Sequence, residues 1–301
     1  MSFNRRGFLR AAALGTTTLI AGKSLAREGD AADCDQALSV LVDTVVCIGC
    51  RKCEWACRKA HFDPDAVMTD FDDVSVFKKH RRPDETSYTV VNEYLSPEKP
   101  EEKPHQMKVQ CMHCVDPACV SACIVGALEK TKNGPVIYDA WECIGCRYCI
   151  VACPFQIPAY EYDNALDPQV RKCTFCYDRV VNEGKVPACV ETCPNEALTF
   201  GTRAELIDLA HSRIKARPDR YTDHVYGKDE VGGTSWMYLA ATDFNNTELP
   251  ELPPDSIPPN TELIQHGIFK WFIPPVALYG LLGLIMYSMD ERRDEQEVKH
   301  E

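Results

Sequence analysis

Cys143-Ile144-Gly145-Cys146-Arg147-Tyr148-Cys149-Ile150-Val151-Ala152-Cys153-Pro154 sets four cysteines at C-x₂-C-x₂-C-x₃-C and closes on a proline. Three other groups echo it. Cys47, Cys50, Cys53 and Cys57 repeat the spacing; Cys111, Cys114, Cys119 and Cys123 add two residues before the third member. Cys173, Cys176, Cys189 and Cys193 carry a long insertion and end on Pro194. A [4Fe–4S] cube takes four thiolates at the corners of a tetrahedron. One tight loop supplies three of them, while the fourth, three residues on at the start of a helix, points toward a second cube. Four groups therefore predict four [4Fe–4S] clusters arranged as two pairs.

Two other uses of cysteine fit less well. Tetrahedral zinc is held by paired C-x₂-C knuckles and has no need of a third and fourth cysteine at these intervals. A disulfide framework suits an exported chain, but the total of 17 is odd and the spacing is too regular for arbitrary staples. Cys34 stands outside the groups, and Asp33 before it rules out a lipidation motif, so it carries no assigned role.

The chain has 301 residues and a formal charge of −12, from 45 acidic against 33 basic side chains. Each oxidised Cys₄ cube adds about −2 more. That balance excludes nucleic acid as a partner and suits the solvated surface of an electron carrier.

Residues 1–26 read as an address. Asn4-Arg5-Arg6-Gly7-Phe8-Leu9-Arg10 is a twin-arginine motif, a small apolar run follows, and Ser24-Leu25-Ala26 offers a cleavage site. Export of the folded chain lets the clusters be inserted in a reducing compartment before the thiols meet an oxidising one. Leu38–Asp43 is expected to be a strand leading into the first group. Val74-Ser75-Val76-Phe77 and Tyr88-Thr89-Val90-Val91 alternate like strands, with a basic run, Lys78-Lys79-His80-Arg81-Arg82, expected to be a solvated loop between them. Pro97–Pro104 is a charged, proline-rich connector. Ala127–Lys130, a turn at Asn133-Gly134 and Val136–Tyr138 predict a hairpin, and Ala197–Phe200 repeats one arm of it. Thr202 and Glu205 form a capping box for a helix through about Arg213, with Leu206, Ile207, Ala210 and Ile214 on its buried side. Ser235–Leu239 is strand-like, and residues 250–267 form a proline-rich tether. From Trp271 to Met289 run 19 residues without a charge, expected to be one transmembrane helix with the cluster domain outside and residues 290–301 inside.

Nineteen residues separate the second group from the third, against 53 between the first and second. Local pairing of the middle groups then nests them inside the outer two. Cluster 1 would take Cys47, Cys50, Cys53 and Cys193, and cluster 2 would take Cys57, Cys173, Cys176 and Cys189. Cluster 3 would take Cys111, Cys114, Cys119 and Cys153, and cluster 4 would take Cys123, Cys143, Cys146 and Cys149. The rival is sequential pairing, first with second and third with fourth. The expected fold is α+β: two nested bacterial-ferredoxin-like domains with small antiparallel sheets, plus the C-terminal span. Residues 27–104 and 160–249 would form the outer domain, residues 105–159 the inner one, and 268–289 the membrane helix. Cubes closed on all sides by cysteine leave no iron open to substrate, so the expected role is electron transfer and no catalytic residue is assigned. Arg51, Lys52, Arg58, Lys59, Arg147, Arg171 and Lys172 flank ligands and are candidates for raising potentials. His113, between two ligands, is expected to pack in the cluster shell.

Gln110-Cys111-Met112-His113-Cys114-Val115-Asp116-Pro117, Cys143–Cys149 with Val151-Ala152-Cys153-Pro154, and Gly201-Thr202-Arg203-Ala204-Glu205-Leu206 resemble the four-cluster ferredoxin-type subunits of dimethyl sulfoxide reductase and formate dehydrogenase complexes. The twin-arginine leader, Tyr226–Glu230 before Gly232-Gly233-Thr234, Leu249-Pro250-Glu251-Leu252-Pro253, and Ile264-Gln265-His266 before the apolar stretch resemble the iron–sulfur subunit of hydrogenase-2-type complexes. The resemblance implies a periplasmic catalytic partner, an uptake [NiFe] hydrogenase or a molybdopterin or multihaem enzyme. It also implies a quinone-reactive integral membrane partner and a chain anchored at the inner membrane, facing the periplasm.

Overall fold

A computed structural model describes residues 34–95, 104–259, 262 and 277–288. The core begins with β1 (Leu38–Asp43), whose Leu, Val and Ser side chains are buried almost throughout because both of its faces are covered. Val40 and Val42 point into the cysteine-lined core with Trp236, Tyr238 and Phe175. Leu41, one residue out of phase, points the other way against a helix. That helix, α5 (Arg203–Ala216), lays Leu206, Ala210 and Ile214 on β1, each large aliphatic side chain contributing about 1.5–3 kcal/mol by leaving water. It starts at the expected capping box: Thr202 accepts from the Glu205 amide, and the Glu205 carboxylate accepts from the Thr202 amide. It stops before Pro218, which holds Arg217 out of helical geometry.

β1 is the middle strand of three. On one side β8 (Leu198–Thr202) runs antiparallel, pairing Val42 with Leu198 and Leu38 with Thr202. On the other, β9 (Trp236–Leu239) runs parallel, pairing Val40 with Trp236. A purely antiparallel arrangement was the expectation; the parallel strand is possible because the long stretch of chain between β1 and β9 returns to the starting end of the sheet. The remaining sheets are two-stranded and antiparallel: β2 (Thr89–Tyr94) with β3 (His105–Gln110), β4 (Leu128–Lys130) with β5 (Val136–Tyr138), and β6 (Ala159–Tyr160) with β7 (Val170–Arg171). The β4–β5 hairpin turns at Gly134, whose φ of 109° suits a residue without a side chain.

Four helices carry or follow the cysteine groups: α1 (Lys52–His61), α2 (Ala118–Ser121), α3 (Tyr148–Ala152) and α4 (Ala188–Glu191). α1 packs on α4, and α2 packs on α3.

Three expectations need correction or completion. Val74–Lys78 is a 3₁₀ turn and not a strand: Asp73 caps it by accepting from the Ser75 amide at 2.8 Å, and Val74 lies 70% exposed with no strand beside it. The first residues of the expected tether are bound to the body. Pro253 and Pro254 carbonyls accept from the Val231 and Gly232 amides, and Tyr226 donates to the Pro250 carbonyl. Of the expected membrane span, residues 277–288 are helical with exposed side chains, and the rest lies outside the described residues. Among the described residues no helix is long and apolar enough to cross a membrane. The twin-arginine segment and most of the Pro97–Pro104 connector also lie outside them.

Candidate metal centres

Each C-x₂-C loop solves the same local problem, turning two cysteines inward within four residues. In all four, the residue before the second cysteine adopts a left-handed conformation: Gly49, His113, Gly145 and Phe175, with φ between 47° and 69°. The turn aims a backbone N–H back at the first sulfur. Gly145 donates to Cys143 Sγ and Phe175 to Cys173 Sγ, each at 3.4 Å. The Gly49 amide does the same for Cys47. Glycine adopts this geometry at no steric cost, whereas His113 and Phe175 pay roughly 1–2 kcal/mol each. Packing holds those two: their rings meet edge to face at 5.2 Å in the buried core. A second left-handed residue, Gly126, Gln156 or Glu196, follows the last cysteine by three positions in groups two, three and four. Group one lacks it because α1 continues unbroken to His61.

Helix packing sorts the groups. With α1 against α4, Cys57 on α1 is brought to the fourth group. Burial pushes its thiol well above the ordinary range, and Cys173, Cys189 and Cys176 add to the effect. Cys47, pushed up to about 11 mainly by burial, feels Cys193 and Cys50. With α2 against α3, buried Cys114 feels Cys153, Cys119 and Cys111. Cys149, pushed up to about 11 by burial, feels Cys123, Cys146 and Cys143. Helix packing thus brings cysteines of the first group to the fourth and cysteines of the second to the third. Adjacent sets touch electrostatically through Cys53 and Cys189, Cys173 and Cys111, and Cys119 and Cys149. The sets therefore follow one another in the order 1–2–3–4.

The donor set tests the fit to iron–sulfur clusters. Cys47, Cys50, Cys53 and Cys193 line a cavity of ≈ 440 Å³, including the open space at its mouth, walled by Val42, Val91 and Leu198. No carboxylate or imidazole lines it, so its metal donors are soft thiols in an apolar shell. Among the described residues no three Cys, His, Asp or Glu side chains lie close enough together to hold a single ion. Soft donors around a space larger than an ion are what a cube needs.

Most of the cations flanking the ligands are engaged elsewhere. Arg51 is buried against Glu54, which also takes Arg81 at 2.6 Å and the Val91 amide. Arg81 therefore leaves the basic loop expected to be solvated, and Arg82 likewise binds Glu248 and the Phe155 carbonyl. Arg171 pairs with Glu161, Arg147 lies over Tyr160 and Tyr162, and Lys59 lies over Trp55. Arg58 donates to the Thr86 carbonyl. Lys172 is buried and donates to the Val136 and Cys173 carbonyls; its charge also reaches Cys119. His113 is buried, as expected for a shell residue, and its Nδ1 accepts from the Val136 amide. Burial holds its imidazole well below the usual range.

Two neighbours of the thiols carried no sequence signal. His61 Nε2 lies 3.3 Å from Cys176 Sγ. Lys108, on β3 and distant in sequence from the first and fourth groups, is buried among Cys53, Cys57, Cys173 and Cys189. In sequence Lys108 reads as a solvent-facing strand position, because it alternates with apolar Met107 and Val109.

Comparison with known proteins agrees with this geometry. A family described as a 4Fe-4S dicluster domain matches residues 104–203. A protein of Nitratidesulfovibrio vulgaris is 48% identical over 97% of this chain and 78% of its own. The hydrogenase-2 operon protein HybA of Escherichia coli is 35% identical over 94% of both chains. The iron-sulfur subunit of nitrate-inducible formate dehydrogenase of Escherichia coli is 35% identical over 87% of this chain and 89% of its own. Motif, facing thiol sets and likeness over nearly the full length agree: the chain belongs to the 4Fe-4S dicluster family of iron–sulfur subunits that includes these hydrogenase-2 and formate dehydrogenase proteins.

Proposed function

We propose that the chain holds four [4Fe–4S] clusters in the nested scheme and relays electrons between a periplasmic catalytic subunit, an uptake [NiFe] hydrogenase, and a quinone-reactive membrane subunit. The observation that supports this reading is the packing of α1 on α4 and of α2 on α3, which brings the first cysteine group to the fourth and the second to the third. Bound clusters supply one-electron outer-sphere chemistry. The protein's part is to enclose them. Four thiols per set leave no coordination position for substrate. Backbone amides at Gly145 and Phe175 donate to sulfur, and such bonds help set a cluster's potential. The scheme makes residues 105–159 an inner two-cluster domain within an outer one.

The two ends of the series differ in access. Cys146 is exposed, and exposed Trp141, Ile144 and Val151 lie close to it in sequence. Large apolar side chains left in water beside a terminal site suit contact with a partner subunit. Twin-arginine export and anchoring through 268–289 complete the reading, with the clusters on the periplasmic side of the inner membrane.

Anaerobically purified chain should contain about sixteen iron atoms and as much sulfide, with each cube bound through four cysteines. Fewer than four cubes per chain, with zinc in their place, would end the proposal. The relatives include formate dehydrogenase subunits at the same 35% identity, which supports the same relay in a molybdopterin enzyme as the alternative. Nickel in the purified complex and cluster reduction by hydrogen select the hydrogenase. A molybdopterin subunit without nickel selects the other.

A further inference from the structure

Lys108 meets both thiol sets of the outer pair. It enters from β3, lines the cavity formed by Cys47, Cys50, Cys53 and Cys193, and also faces Cys57, Cys173 and Cys189 of the second set. Its side chain is fixed from two sides. Nζ donates to Gln110 Oε1 at 2.9 Å and sits 4.3 Å from the centre of the Trp236 ring. Gln110 is held in turn by Tyr238, whose hydroxyl accepts from Gln110 at 2.6 Å and donates to the Lys108 carbonyl at 2.9 Å. Among the described residues no carboxylate pairs with the ammonium. A buried, unpaired ammonium is expensive, so its counter-charge must come from what the thiols hold.

We propose that Lys108 is a positioning residue that tunes clusters 1 and 2 together, raising the reduction potential of both. The inference rests on the four-cluster reading above. Reduction adds one negative charge to a cube. A fixed cation in a low-dielectric interior stabilises the reduced form, and the effect fades with distance. The thiols that act most strongly on Lys108 belong to the outer pair; near cluster 3, Lys130 donates to the Cys114 carbonyl and Lys172 to other carbonyls.

The test is a redox titration of the purified complex, followed by electron paramagnetic resonance, with iron counted in each sample. In Lys108→Met two of the four cluster potentials should move to more negative values and two should stay. Lys108→Arg, which keeps the charge, should leave all four near their starting values. Gln110→Glu, which keeps the lysine but places a carboxylate against it, should move the same two in the same direction. That variant decides the question if Lys108→Met fails to load its clusters. Full iron with no shift, or a shift spread over all four clusters, overturns the inference. Fewer than four cubes in the unaltered chain overturns the reading beneath it.

Discussion

The outer and inner cysteine pairs begin from the same loop and are finished differently. Around clusters 1 and 2 the chain adds a three-stranded sheet, a ten-residue α1, the long helix α5 and a buried network in which Glu54 binds Arg51, Arg81 and the Val91 amide. Around clusters 3 and 4 it supplies helices of four and five residues and two short hairpins, with Trp141 95% and Val151 81% exposed. The aliphatic core of the inner pair reduces to Leu128, Val136, Val170 and their neighbours. Repetition of a motif thus fixes the ligand geometry but not what holds the unit together. The outer pair has a packed domain around it, whereas the inner pair depends on its metal and on whatever covers its exposed face.

Stripping the iron should expose this difference most strongly. With a chelator under reducing conditions, the inner region should lose its structure outright, read as early proteolytic cleavage within residues 139–169, while the β8–β1–β9 sheet keeps its amide protection longer. Equal loss across both regions would remove the distinction. The stripping should also speed up as pH falls. Burial pushes Cys119 and Cys173 up to about 12 and Cys153 and Cys176 up to about 11. Below those values protons compete with iron for the thiolates, so each step down in pH favours the stripped chain. Loss of visible absorbance across a pH series checks the sign.

A smaller effect separates the pairs by mutation. Glu54→Ala leaves Arg51 buried without its partner and should cost roughly 3–5 kcal/mol, read as a lower denaturation midpoint together with loss of the clusters of the outer pair. The Glu161–Arg171 pair of the β6–β7 hairpin, which packs beside the second and third cysteine groups, should respond less to loss of its carboxylate, because Glu161 sits nearer to water. The smallest effect is at the helix cap. Thr202→Ala removes one half of the capping box and should cost about 1 kcal/mol, visible as a modest fall in Tm with the iron content unchanged.

The hairpin at Gly134, the cap at Thr202 and the strand at Trp236–Leu239 were all legible in the sequence, because each is written in neighbouring residues. The Val74–Lys78 stretch was not. Its alternation matches a strand, but alternation reports only which residues could share a face, and no neighbouring strand offers a ladder there. Asp73 decided the turn locally. The residues around Pro253 show the same limit: composition identified an extended segment, while the Val231 and Gly232 amides decided that it would lie on the body.

By itself the sequence determined the sulfur chemistry and the local loops, since spacing of two and three residues dictates which thiols one turn can present. Tertiary structure alone decided the charge around those thiols. The arginines and lysines written beside the ligands are mostly turned to carboxylates, carbonyls and rings, while the ammonium that faces both outer sets arrives on β3, more than 40 residues from the first group and more than 60 from the last. Coulomb interactions act through space and depend on burial, so adjacency along the chain carries little of the information that sets them.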